Sequence, residues 1–144
     1  MKWIQRHLGR RGAALLFFCL LDLAIAWSLV DPKLTPLLRA APSYSYIVRY
    51  TLWSHGPLWI WAAVWANVGL VCGAAAWRRG HDSVAFALAI LLKLVWAGMF
   101  LAAWLTGQAH GAWLTATIWA GFAAFVGVIA GWPEPLERAP EPPQ

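Results

Sequence analysis

SVAFALAILLKLVWAGMFLAAWLT, residues 83–106, decides the fold. It runs for 24 residues with a single charge, Lys93, near its centre. An α-helix rises about 1.5 Å per residue and needs about 20 mostly apolar residues to cross the hydrocarbon of a bilayer. A membrane-crossing strand would need only about 10 residues and would alternate apolar with polar side chains, which this stretch does not do. It therefore predicts a membrane helix. Three further runs read the same way: residues 12–30, 57–77 and 112–132, of 19, 21 and 21 residues, so that the four runs cover 85 of 144 residues.

Composition agrees. The chain is 61% hydrophobic and 12% charged, its mean hydropathy is +0.59, and it holds 12 Trp. A soluble domain is usually about 45–50% apolar and about 25% charged. These values exclude a disordered chain and a disulfide scaffold, and they argue against an ordinary soluble enzyme. Cys19 and Cys72 both fall inside apolar runs and imply no disulfide framework. The expected fold is all-α: an integral membrane bundle of four transmembrane helices forming one domain over residues 1–132. The tail, 133–144, has five Pro in twelve residues and a net charge of −2, so it is expected to be disordered.

Boundaries carry helix signals. Pro57 suits a first turn, Asp82 or Ser83 can cap the third helix, and Pro133 follows the fourth. The basic start with Ala24-Ile25-Ala26 also fits a cleaved secretory leader. Because the apolar run continues through Trp27 to Val30, an uncleaved helix is the reading adopted here.

The net charge of +5 encodes orientation. Lys2, Arg6, Arg10, Arg11, Arg78, Arg79 and Arg138 flank one side, against Lys33, Arg39 and Arg49 on the other. The positive-inside rule places both termini in the cytoplasm. No basic stripe covers a soluble-length segment, so no nucleic-acid partner is expected. The bilayer is the expected partner. The loop 31–56, with Tyr44, Tyr46, Tyr50 and Trp53, reads as an interfacial segment.

Few polar groups lie deep in the helices. Asp22 and Lys93 each lie ten residues into a span running outward, and Asn67 lies ten residues from the inner end of the second span, so all three reach one depth. An unpaired charge there costs about 3 kcal/mol on insertion scales. Asp22 is therefore expected to face Lys93, with Asn67 hydrogen-bonding one of them. The pair reads first as glue fixing helix register, and second as part of an ion or proton path or of a hydrated lesion.

Gly69 and Gly73, and Gly127 and Gly131 continuing Ala116, Ala120 and Ala124, form stripes that let helices approach closely. Gly69 lies about 200° around the helix from Asn67. With Asn67 inward, the glycine face points to a neighbouring chain and a homo-oligomer follows; packing within one chain is the other outcome. Most Trp residues form interfacial belts: Trp27, Trp53, Trp59, Trp61, Trp104 and Trp113 outside, Trp3, Trp77 and Trp132 inside. Trp65, Trp96 and Trp119 lie deeper, filling the core or facing lipid.

His7, His55, His81 and His110 all fall in loops or flanks, where no pair could hold a haem inside the bundle. No metal-binding, phosphate-binding or nucleophile motif occurs. No catalytic residue, metal or cofactor is expected.

The strings RRGAALLFFCLLDLAIAWSL, PLWIWAAVWANVGLVCGAAAWRR, DSVAFALAILLKLVWAGMF and FVGVIAGWPE occur in that order. Together they resemble small four-helix membrane proteins of actinobacterial bacteriophages and prophages, over most of residues 10–135. Arg10-Arg11, Asp22, Lys93 and Gly131-Trp132-Pro133-Glu134 match that pattern. The resemblance implies a phage-type protein of the host cytoplasmic membrane, and some such proteins are holin-like, permeabilising that membrane during lysis. Four spans and an acidic, Pro-rich tail depart from common holins. The alternative expectation is a non-lytic membrane protein: an assembly partner, an immunity partner or a small ion-coupled transporter.

Overall fold

The computed structural model describes residues 2–31, 33–34, 58–78 and 82–132. The interfacial loop and the Pro-rich tail expected from sequence fall in 35–56 and 133–144, outside the described residues, as do Pro57 and Pro133. The described residues hold four helices: α1 (Lys2–Val30), α2 (Leu58–Ala76), α3 (Ser83–Leu105) and α4 (Ala112–Ala130). No strand occurs among the described residues. All four helices are long and apolar enough to cross a membrane, over Gly9–Val30, Trp59–Ala76, Ser83–Leu105 and Ala112–Ala130.

Local chemistry explains where the elements begin and end. At Gly9 the backbone takes φ 66° and ψ −177°, a conformation essentially reserved for glycine, and α1 is broken there. The apolar rod accordingly starts at Gly9, three residues earlier than the sequence pattern placed it. At the other end of the fold, Gly107 adopts φ 71° just beyond α3. The Gly107 amide donates to the Trp104 carbonyl and the Gln108 amide to that of Ala103, both at 3.0 Å. This is the Schellman closure, which needs a left-handed residue after the cap.

Two tight helix pairs, α1 with α2 and α3 with α4, are joined chiefly by α2 against α3. Large apolar side chains cover the outside as well as the core, Leu20, Leu70, Leu91, Leu105 and Val128 among them. Helices apolar all round are those of a membrane or of a large protein's interior. Two features organise the inside. Around the middle of α1, Leu15, Phe18 and Cys19 belong to one buried apolar cluster with Cys72, Phe86 and Ala89. Further along, the indoles of Trp61, Trp65, Trp96 and Trp119 form one cluster, with neighbouring ring centroids 5.2–6.2 Å apart. Trp61 thus belongs to this cluster and not to the outer belt expected from its position. Trp27, Trp59, Trp77, Trp104, Trp113 and Trp132 are exposed.

Candidate functional site

The centre of the bundle holds one charge pair. Lys93 Nζ on α3 donates to Asp22 Oδ1 on α1 at 2.8 Å, and both side chains are 0% exposed. The ammonium also lies 5.2 Å from the Trp65 ring centroid and 5.5 Å from that of Phe18. Aromatic faces carry negative charge density, so these rings solvate a cation that has left water. The second carboxylate oxygen, Asp22 Oδ2, is buried with no hydrogen-bond partner among the described residues, and Trp65 Nε1 is likewise unpartnered. Such a pair is costly to break, because removing one partner leaves the other charge stranded.

A second pair stands toward the start of both helices. Arg11 Nη2 donates to Asp82 Oδ1 at 2.9 Å, with the side chains 23% and 16% exposed. The Arg11 guanidinium also lies 5.2 Å from the Phe86 ring centroid. The sequence pattern reads Arg11 as an orientation charge and Asp82 or Ser83 as the cap of the third helix. Asp82 does precede α3, but its side chain makes no cap hydrogen bond because it is committed to Arg11. A signal for this contact existed: Arg11 precedes Asp22 by the same number of residues as Asp82 precedes Lys93.

Asn67 does not join the central pair, contrary to expectation. It is exposed, and its Nδ2 donates to the Ala63 carbonyl of its own helix at 2.7 Å. The physical reason lies on the opposite face of α2. A Cβ at Gly69 would stand 3.2 Å from the Cys19 carbonyl oxygen and 3.3 Å from Asp22 Cβ; one at Gly73 would stand 2.9 Å from Cys19 Sγ. The glycines admit the backbone of α1, so α2 turns this face inward and carries Asn67 outward. The two faces stand about 200° apart as the helical period requires, with the glycine face, not the Asn67 face, turned inward. The Gly69/Gly73 face therefore packs within the chain and is not available to a neighbouring copy.

The fourth helix shows a looser version. A Cβ at Gly127 would meet Ile90 of α3 only at 4.0 Å, and one at Gly131 meets only backbone of its own helix. Ala116 is buried, whereas Ala120 and Ala124 are exposed. An open groove of about 600 Å³ lies between α3 and α4, with Gly98, Trp104, Trp113 and Thr117 among its lining. Cys19 and Cys72 are free and buried. Among the described residues, no three or more His, Cys, Asp or Glu side chains come together as a metal site.

Fold and site together define a four-helix bundle of membrane-crossing proportions, closed around a sealed ion pair. The chain matches no protein-family model, no curated protein and no solved structure.

Proposed function

We propose that this protein is a phage-type, multi-pass protein of a bacterial cytoplasmic membrane, with both termini on the cytoplasmic side, and that it resides there as a non-lytic component, an assembly or immunity partner. Membrane residence is supported by four apolar helices whose outward faces are also apolar. Orientation is supported by the described charges: Arg10, Arg11 and Arg78 lie at one end of the bundle and Lys33, close to Asp31, at the other. The observation that carries the non-lytic role is the closed Asp22–Lys93 pair. With both side chains at 0% exposure, neither lines a water path.

The holin-like reading is second. It is favoured by the apolar outer surface, which suits accumulation in a crowded membrane, and it requires the bundle to open so that Asp22 and Lys93 face water. Inducible expression in a bacterial host, followed with a potential-sensitive dye and culture turbidity, separates the two. A membrane that stays polarised while the protein accumulates supports residence. Abrupt depolarisation and lysis overturn it in favour of the holin-like role.

A further inference from the structure

The face of α2 that the glycines turn outward has a pattern of its own. Ile60, Ala63, Asn67, Leu70 and Ala74 follow a spacing of three and four residues. Ala63, Asn67, Leu70 and Ala74 are exposed and Ile60 is half-buried. This is the a/d spacing of a two-helix seam, with the amide at an a position, where asparagine sets register and oligomer state. Asn67 is the only asparagine in the sequence, and it stands ninth in the 18-residue apolar stretch Trp59–Ala76. It also lines an open groove of about 540 Å³ in which Trp59, Val64, Val71 and Leu88 supply apolar walls.

An amide carries two N–H donors and an accepting oxygen. One N–H is used by Ala63, and no other hydrogen bond to Asn67 occurs among the described residues. Thr117, also exposed on an apolar helix, differs: its one hydroxyl proton goes to the Trp113 carbonyl at 2.9 Å. At mid-depth in hydrocarbon there is no water for the remaining amide donor and acceptor. Acyl chains offer neither. A second copy offers both at the same residue, because an amide is self-complementary across a two-fold axis. Two copies inserted with the same orientation also bring their α2 helices together in parallel, as an a/d seam with one Asn requires.

We propose that the protein forms a homodimer through the Ile60–Ala63–Asn67–Leu70–Ala74 face of α2, with the Asn67 amides hydrogen-bonded across the two-fold axis. This rests on the membrane reading above. The small Ala63 and Ala74 side chains let the two helices approach, and Asn67 fixes their register.

The test uses the full chain labelled for single-molecule photobleaching in phosphatidylcholine/phosphatidylglycerol vesicles over a range of protein-to-lipid ratios. Wild type is expected to dimerise. Asn67→Leu is expected to weaken the dimer about tenfold, the scale of one or two interhelical amide hydrogen bonds. Asn67→Gln should stay within about threefold of wild type, since it keeps the donor and acceptor. Should Asn67→Leu accumulate poorly, cysteines placed singly by Ala63→Cys and Ala74→Cys must cross-link between copies where Gly121→Cys does not; the native cysteines are buried. A monomer at every ratio, an Asn67→Leu dimer of unchanged affinity, or cross-linking no greater on this face would overturn the proposal. Carbonate extraction of the same samples tells the two readings apart. Protein released from the membrane sinks both, whereas a retained monomer sinks only the dimer.

Discussion

Lys93 meets Asp22 at 2.8 Å across 71 residues of sequence, and Asp82 meets Arg11 at 2.9 Å across the same 71. On each helix the two members are 11 residues apart, about three turns and about 16 Å of rise. Both contacts therefore fall on one face of α1 and one face of α3, which run parallel and in register. The polarity alternates: α1 presents a cation and then an anion, α3 the reverse. A slip of one turn would strand all four charges. The backbones of α1 and α3 approach closely at few places, and the two ion pairs, with Arg11 on the Phe86 ring and Lys93 on the Phe18 ring, bridge them.

The central pair predicts a double-mutant cycle with strong coupling. Asp22→Leu or Lys93→Leu alone should cost about 3–5 kcal/mol, since each leaves a buried charge uncompensated. The double change to Leu should recover most of that loss, because apolar replacement of a buried pair is often neutral. Unfolding in mixed micelles measures the cycle; single changes as mild as the double would show that no coupled pair exists.

The peripheral pair predicts a smaller effect with a distinctive rescue. Arg11→Asp and Asp82→Arg should each lower the melting midpoint, while the two together should restore it. Partly exposed pairs contribute about 1 kcal/mol or less, so the single losses should be a few degrees and should shrink at high salt. No rescue by the swapped pair would remove Arg11–Asp82 as a register contact.

The helix approach predicts unequal glycines. An alanine at Gly69 meets the backbone oxygen of Cys19, which cannot step aside, whereas an alanine at Gly73 meets only the Cys19 thiol. Gly69→Ala should destabilise by about 1–3 kcal/mol, the usual range for overpacking. Gly73→Ala should cost less and should be repaired by Cys19→Ala. Gly121→Ala, which meets nothing within 4 Å, should be silent. Equal effects at all three positions would contradict the packing of α2 on α1.

The tryptophans predict a division by face. Trp96, 1% exposed, touches the rings of Trp61, Trp65, Phe100 and Trp119, so Trp96→Ala should cost about 3 kcal/mol or more. Trp113, 50% exposed, should be replaceable by Leu with little change in the unfolding midpoint. A Trp113 effect as large as that of Trp96 would place the stabilising cluster elsewhere.

Sequence by itself determined the helices and how far along them the charges lie. A run of 24 residues with one Lys can be read without tertiary knowledge, because an apolar run of that length satisfies its backbone groups only as a helix long enough to cross a bilayer. Asp22 and Lys93 could be matched by counting, since each helical residue advances by a fixed rise. What counting along the axis could not decide was rotation about it. On helices apolar all round there is no hydrophobic stripe to mark the inner face, so the pattern sets Asn67 inward and leaves the glycine face open between a neighbouring chain and packing within one chain. Tertiary packing turned Asn67 outward and decided for packing within one chain, because the close approach of α1 to α2 at Cys19 needs residues without side chains. It also drew Trp61 from the expected belt into the indole cluster and gave the Asp82 side chain, at the N-cap of α3, an ion pair with Arg11. Position along a helix follows from counting; facing follows from which surfaces fit together.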